Sequence, residues 1–524
     1  MYQAATWDHD RKERLQVASL RMASAHGRGW GANRFGILKN QVLKNALLTC
    51  LLCALLAQIA SAAAPSARRK LRKKPAPKTL PVTTTSKDLE RQFQGATENF
   101  IYFHLDAALA QWRALTRSDP EFALAYAFLS FATKDPAEEK TVAGKARALQ
   151  SKVTPGERLV IQWMTDVRGG DYLAGIAAMN DVVAMYPRDK QLVYLAGNWL
   201  LLQQSLPRAE KLLMQALAID KDYPPPWNAL GYLYAEQRDF DKAVSHMERY
   251  VALRPEEPNP HDSYAEVLRM AGKLSEAMTQ YQEALKINPR FSLLGVADTY
   301  ALMGNQEQAR ATYQRGIRES ETIEDRLQCR LQYPITYVRE RNYAEADRTF
   351  LELASWARTS KQPLIEVQAQ RMMAEYQPDN VTALKYLADA ETLLLKAPIS
   401  AADRDEERAR ILRWRVLRAL ADQQQGVAGA ALTQLEALSN ANPSDVIQHA
   451  WHAAAGAFLV AAQRYEDAIA HLEEDTGDPL SLQLLAQCHA ALGNTQKAQE
   501  TRKQLSTLYI PTLEQALVAP EMRR

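Results

Sequence analysis

Cysteine is scarce in this chain, with four among 524 residues. Cys50 and Cys53 share one apolar run, while Cys329 and Cys488 lie far apart in helical patterns. No pair has metal-ligand spacing and no disulfide framework emerges, so the two distant thiols read as packed core side chains. A strong charge of either sign is also missing, since the net charge is +3. That small value conceals a division. Residues 1–86 hold 15 Lys and Arg against Asp8, Asp10 and Glu13, a local +12 that leaves −9 for the remainder. A main body without a positive field is a poor partner for nucleic acid. Catalytic signatures are missing too. There is no H-E-x-x-H, no P-loop, no G-x-S-x-G and no G-x-G-x-x-G after a strand, and no segment reads convincingly as a strand. No catalytic residue and no cofactor is expected.

What is present begins near the N-terminus. Residues 46–57, "ALLTCLLCALLA", form an uncharged apolar run after Lys39 and Lys44, with Ala60, Ser61 and Ala62 as an A-x-A pattern behind it. The run is shorter than the ~20 apolar residues a spanning helix needs, and it reads as the h-region of a secretory signal cut after Ala62. The 45 residues before it exceed an n-region, which a start at Met22 or later would resolve. "ARRKLRKK" at Ala67–Lys74 places positive charge just beyond the run. Such charge resists export, so an anchor at 46–64 and a cytoplasmic chain are the alternatives to a periplasmic or secreted one. Residues 63–86, rich in Ala, Pro, Lys and Thr, read as an extended tether whose basic block has affinity for anionic lipid.

From Leu89 onward the pattern is helical and paired. Windows 190–223, 224–257 and 258–291 align without gaps at 34 residues each. With Trp227 at the fourth place of its window, Leu230 and Gly231 are seventh and eighth, Tyr234 eleventh, Ala243 twentieth and Pro255 thirty-second. Gly197, Ala265, Ala209 and Ala277 repeat the small places in the neighbouring windows. A small residue there lets two helices approach to roughly 8–10 Å, and the proline ends the second helix. A shorter signature marks second helices, as in "DYLAG" to Gly175, "DFDKA" to Ala243, "NYAEA" to Ala346 and "RYEDA" to Ala468.

These places resemble the tetratricopeptide repeat family, whose 34-residue helix–turn–helix unit carries W-x2-L-G-x2-Y, then Ala, then Pro. The resemblance covers roughly 90–510 and is strongest over 156–320. It implies an all-α, right-handed superhelical solenoid and a non-catalytic scaffold for protein–protein interaction, with a cytosolic regulator or an accessory subunit of an enzyme complex as the alternative. The partner would be a protein or extended peptide, with a preference for basic segments, held on the concave face of the first helices. The inward places of the family supply Tyr194, Asn198, Asn228, Tyr232, Glu236, Asp262, Glu266, Arg269 and, from a shortened next window, Asp298. Amides suit a peptide backbone, tyrosines add rigid area, and acids favour a basic segment. The family's clamp for a C-terminal carboxylate would fall on Tyr194, Asn198, Ala229, Asn259 and Ser263, where only Asn198 fits.

The organisation expected is an N-terminal extension and signal-like segment (1–62), a basic linker (63–86), divergent helices (87–155), regular repeats (156–325), divergent repeats (326–510) and a tail (511–524). Ten or eleven helix pairs are expected, with an irregular pair at 121–155 whose first helix is broken. Pro334 should kink a first helix, and the chain should end in a cap and a loose tail after Ile510. The best metal candidate, "HAWH" with His449 and His452 near His471 and His489, lacks the further ligands and carboxylates of a site, so no metal is expected. The recurring tryptophans, Trp112, Trp163, Trp199, Trp227, Trp356, Trp414 and Trp451, read as core knobs.

Overall fold

Polar, apolar and small residues at fixed spacing should start a helix and let it cross another closely, and the chain repeats that arrangement throughout. The computed structural model describes residues 79–522, apart from 134, 170, 204, 400 and 443, and places 25 α-helices and no strand among them. The first pairs are α1 (Lys87–Ile101) with α2 (Leu105–Ser118), α3 (Ala123–Ala132) with α4 (Pro136–Ala148), and α5 (Pro155–Arg168) with α6 (Tyr172–Met185). The regular windows give α7 (Lys190–Leu202) with α8 (Leu206–Ile219), α9 (Pro224–Glu236) with α10 (Phe240–Leu253), and α11 (Pro258–Met270) with α12 (Leu274–Ile287). Then come α13 (Leu293–Leu302) with α14 (Gln306–Glu319), α15 (Ile323–Arg339) with α16 (Tyr343–Thr359), and α17 (Pro363–Tyr376) with α18 (Asn380–Lys396). The last pairs are α19 (Ala401–Ala421) with α20 (Gln425–Ala441), α21 (Asp445–Ala461) with α22 (Tyr465–Leu472), and α23 (Pro479–Ala491) with α24 (Thr495–Ser506), and α25 (Leu513–Met522) stands alone.

The first helices of the three regular windows begin on residues 190, 224 and 258, the first residue of each window. The second-helix signature starts with the capping residue. Asp171, Asp239 and Asn342 accept hydrogen bonds from the amides of Ala174, Lys242 and Glu345, satisfying a donor that the helix itself leaves unpaired. The small residue of the signature lies at the crossing. Ala209, Ala243, Ala277, Ala309, Ala346 and Ala468 are all fully buried. A Cβ added at Gly231 would come within 2.6 Å of Met247 Cε, so the eighth place is small because the second helix occupies that space.

Each first helix from α7 to α21 touches the first helix of the next pair, whereas second helices make no comparable contact with each other. The first helices therefore lie on the inner arc of an all-α solenoid. Both thiols of the described residues, Cys329 and Cys488, are buried. Several expectations need correction. There are twelve pairs rather than ten or eleven, because helices without the full motif still pair when a small residue is available at the crossing. The first helix of the 121–155 pair is shortened, ending at Ala132, and is not broken. Pro334, the expected site of a kink, is buried inside the 17-residue α15 and does not end it. The tail is not loose, since Leu513–Met522 is helical and its Leu513, Ala516 and Val518 are buried. The apolar run 46–57, its cleavage pattern, Cys50, Cys53 and most of the basic linker lie outside the described residues.

Candidate partner-binding groove

The inward places of α7, α9, α11 and α13 carry the nine predicted residues, and packing divides them. Tyr194 is fully enclosed: its ring meets Tyr223 edge-on at 5.9 Å and lies near Tyr102 and Tyr250, so burial raises its phenol well above the ordinary value. It is a core residue and offers no partner surface, because the turn after α1 covers this part of the inner face. Arg254 stacks over the Tyr102 ring of that turn at 4.8 Å. Asn228, Arg269 and Asp298 are also buried, whereas Asn198, Tyr232, Glu236, Asp262 and Glu266 are partly exposed.

The residues of α9, α11 and α13 form a relay rather than independent contacts. Tyr232 donates to Glu266 at 2.9 Å, and Arg269 donates to the other oxygen of Glu266 at 3.3 Å. Arg269 also acts electrostatically on Asp298, which accepts a hydrogen bond from Tyr313 at 2.6 Å. Burial raises the Asp298 carboxyl to about 6 against the pull of Arg269, Tyr313 and Arg339. Burial likewise raises Asp262 to about 7, with Ser292 and Arg269 opposing and Glu266 and Asp325 reinforcing the shift.

Arg339, at the end of α15, carries this relay to the C-terminus. It donates to Gln515 Oε1 at 2.5 Å and to the Thr512 carbonyl at 3.3 Å. Upstream, Arg238 donates to the Thr507 hydroxyl at 2.9 Å and to its carbonyl at 3.3 Å. Tyr509 lies so close to Gly272 that a Cβ there would fall 2.4 Å from its ring. Residues 507–512 thus cross the turns of the α9–α10 and α11–α12 pairs before α25 settles against α15, α17, α23 and α24. Leu513 and Ala516 join the apolar cluster of Leu331, Ile335 and Met373, and Leu517 packs with Leu480.

The same region holds charged groups that the sequence reading missed. Arg371 of α17 donates to Glu407 at 2.6 Å and also to Glu375, and all three are buried. Arg413 of α19 pairs with Asp478 at 2.8 Å. Glu514 of α25 acts electrostatically on both Arg371 and Arg413. Arg371, Glu375 and Arg413 sit on first helices, so the inward places of the family pattern pointed toward them, but the loosened period between Ala346 and Ala468 hid the register.

A second stretch of the chain is held by the solenoid. Residues 79–86, expected as the end of a free tether, are tied along the junctions between pairs. The Leu80 amide donates to Asp189 at 2.9 Å, the Thr83 amide and hydroxyl donate to Glu157 at 2.6 and 2.7 Å, and the Thr85 amide donates to Asp119 at 3.1 Å. Thr84 adds a hydroxyl to Asp119 at 2.9 Å. Burial alone would raise the Asp119 carboxyl, but the hydrogen bonds from Thr84, Thr85 and the Glu121 amide outweigh it and hold it below the usual range.

The histidine candidates are brought together only in part. His449 faces Asp475 at 3.0 Å, whose other oxygen accepts from Ser481 at 2.6 Å. His452 and His471 approach at 3.2 Å between their Nδ1 atoms, with Trp451 packed against both. Among the described residues no group of three or more His, Cys, Asp or Glu is arranged to hold a metal ion. No described helix is long and apolar enough to cross a membrane.

Residues 165–224 and 228–290 match the model of the tetratricopeptide repeat family. A tetratricopeptide repeat protein from Parabacteroides merdae ATCC 43184 is 14% identical over 51% of this chain and 92% of its own, with a TM-score of 0.32. YrrB, a tetratricopeptide repeat protein with an unusual peptide-binding site, is 17% identical over 41% and 95%, with a TM-score of 0.26. The MamA protein is 16% identical over 31% and 91%, with a TM-score of 0.28. No curated protein matches the chain in sequence.

Proposed function

Because this chain is a tetratricopeptide repeat protein, and such repeats make scaffolds for protein–protein interaction, we propose that it works as a non-catalytic scaffold in a bacterial envelope. It receives a protein or an extended peptide on the inner face of its first helices. The observation that carries this reading is that the solenoid already holds two segments of its own chain, an extended one at 79–86 and a helical one at 513–522. A surface that binds both forms internally has the chemistry to bind them from outside. Glu236, Asp262 and Glu266 remain partly exposed there and favour a partner with basic residues. The envelope assignment rests on the apolar run 46–57 with its A-x-A pattern, which directs the chain to the periplasm or beyond, or tethers it at the membrane.

The test is affinity capture from envelope extract with the full chain, beside a variant carrying Glu236→Lys and Asp262→Lys. A protein retained by the parent and lost by the variant supports the scaffold. Equal capture by both moves the partner off this face, and no capture above background ends the reading. N-terminal sequencing of the native protein decides the envelope part, since an intact chain recovered only from the cytosol refutes it.

A further inference from the structure

The segment that fills the second half of the inner face has the properties of a ligand more than of a core element. Helix α25 has ten residues, a length at which an isolated helix is marginal, so its surroundings must hold it folded. The preceding residues 507–512 are irregular and include Pro511. The docking face of α25 is amphipathic. Leu513, Ala516, Leu517 and Val518 pack inward, while Glu514 stands within the field of Arg371 and Arg413. Arg339 grips its N-terminal end through Gln515 and the Thr512 carbonyl.

The fit is loose. A cavity of about 380 Å³ opens between Leu517 and the side chains of Trp414, Leu417, Leu480 and Leu484. A second, of about 1020 Å³, borders Val518, Leu484 and Leu505. Both are open to solvent along the flank of α25, so the groove has room for more side-chain volume than α25 supplies.

We propose that this groove, formed by α15, α17, α19 and α23, is a docking site for a short amphipathic helix of a partner protein, and that α25 is its resident occupant. The site extends the scaffold reading to a definite ligand class. That class is a helix with apolar residues at its first, fourth, fifth and sixth places and an acid at its second, preferring larger apolar residues than Leu517 and Val518 at the fifth and sixth. Such helices enter grooves through this spacing of anchors. Tethered through six residues, α25 competes at an effective concentration on the order of millimolar. With α25 itself binding the open groove at about 10 μM, a partner would therefore be weakened about 100-fold by the resident helix.

The test uses the full chain with a protease site placed within residues 508–511. The probe is a fluorescein-labelled peptide of the chain's own residues 507–524, followed by anisotropy. Before cleavage the probe binds weakly, and after cleavage and dilution it binds about 100-fold more tightly. A probe carrying Leu517→Phe binds the cleaved protein at least about threefold tighter, because it fills the adjoining cavity. Arg339→Ala in the cleaved protein weakens the probe. Unchanged anisotropy on cleavage, with the helical circular dichroism retained, overturns the proposal. So does unfolding on cleavage, which would make α25 a structural element. A concentration-dependent dimer of the uncleaved chain would instead assign the groove to a second copy. These outcomes are separate from capture by the face bearing Glu236 and Asp262, which can succeed where peptide exchange fails.

Discussion

Arg371 sustains two carboxylates that have been taken out of water, and its removal gives a sharp prediction. Arg371, Glu375 and Glu407 are 8%, 2% and 0% exposed. The guanidinium bonds both acids, and Arg410 reaches only the second oxygen of Glu407, at 3.3 Å. Arg371→Met keeps most of the volume and strands the acids. Breaking a buried ion pair from one side costs about 3–5 kcal/mol. At about 2.1 cal/mol/K of unfolding entropy per residue, cooperative melting of roughly 440 residues turns this into a midpoint loss of about 3–5 °C. Solenoids often melt in blocks of neighbouring repeats, and a block of roughly 220 residues would lose about 7–11 °C. The size of the shift thus also measures the cooperative unit.

The pH dependence has a definite sign. Burial raises the Glu375 carboxyl to about 8, even though Arg371 pulls it down. A carboxyl raised in the folded state favours folding most fully below its unfolded value, and that advantage is lost as pH rises through the folded value. Removing Arg371 takes away a lowering influence and extends the window of loss upward. The Glu375 part of the variant's deficit should therefore open only above about pH 8 and widen from there as pH rises. Thermal melts followed by circular dichroism at pH 7 and 9.5, for parent and variant, read it directly. Adding Glu375→Leu and Glu407→Leu to the variant should restore most of the midpoint, since the stranded charges are gone. A deficit of equal size at both pH values, or a midpoint within about 1 °C of the parent at pH 9.5, would refute the reasoning.

Asp119→Ala removes the shared acceptor of Thr84 and Thr85, and amide exchange at Thr85 should quicken by about 10–100-fold, read by hydrogen-exchange mass spectrometry. The Asp119 carboxyl is held low, so in the parent the same contact contributes above an unfolded value of about 3.9 and is lost as pH falls through the lower folded one. Asp262, raised to about 7, has the opposite slope: its contribution falls as pH rises from about 4 to 7, and Asp262→Asn should flatten that part of the stability profile in pH-resolved melts. Gly231→Val drives a branched side chain into Met247 and should cost about 1–3 kcal/mol in denaturant titration, whereas Gly231→Ala should cost less because the Met247 side chain can swing away.

The repeat region was the most legible part of the sequence, because each of its signals is local. A capping Asp, a small residue and a proline lie within one 34-residue window, and the helices begin where the windows begin. The inward register was equally readable, and the residues at those places do lie on first helices. Their partners were not readable. Tyr194 occupies an inward place, yet Tyr102 from the first pair and Tyr250 from the pair after its own enclose it. Helix α25 carries an amphipathic pattern in "LEQALV", but eight residues between Pro511 and Pro520 are also compatible with a frayed end. What decides its fate is Arg238 meeting Thr507 across 269 residues, a contact that no local period encodes. The threonines of 79–86 were equally mute, since the three acids that hold them come from three separate pairs.

The two self-contacts differ in what they read, and this sets what a partner must supply. Along 79–86 the acceptors are carboxylates at successive pair junctions, and amide donors come from residues 80, 83 and 85. An extended chain advances about 3.3 Å per residue, so two or three residues span roughly the 8–10 Å between packed helices. That match lets each junction take one backbone amide, with the threonine hydroxyls adding bonds to Glu157 and Asp119. It also accommodates Pro81, which lacks an amide hydrogen and stands between two donor positions. The α25 groove works by the other rule. Its contacts are apolar side chains at helical spacing, with arginines for the termini and the acid, so it discriminates by volume and charge. A solenoid with both surfaces can hold one segment by its backbone while selecting another by its side chains. In this chain the selective surface is the one with unfilled volume, and specificity for an outside partner is therefore to be sought at α25 rather than at the strap.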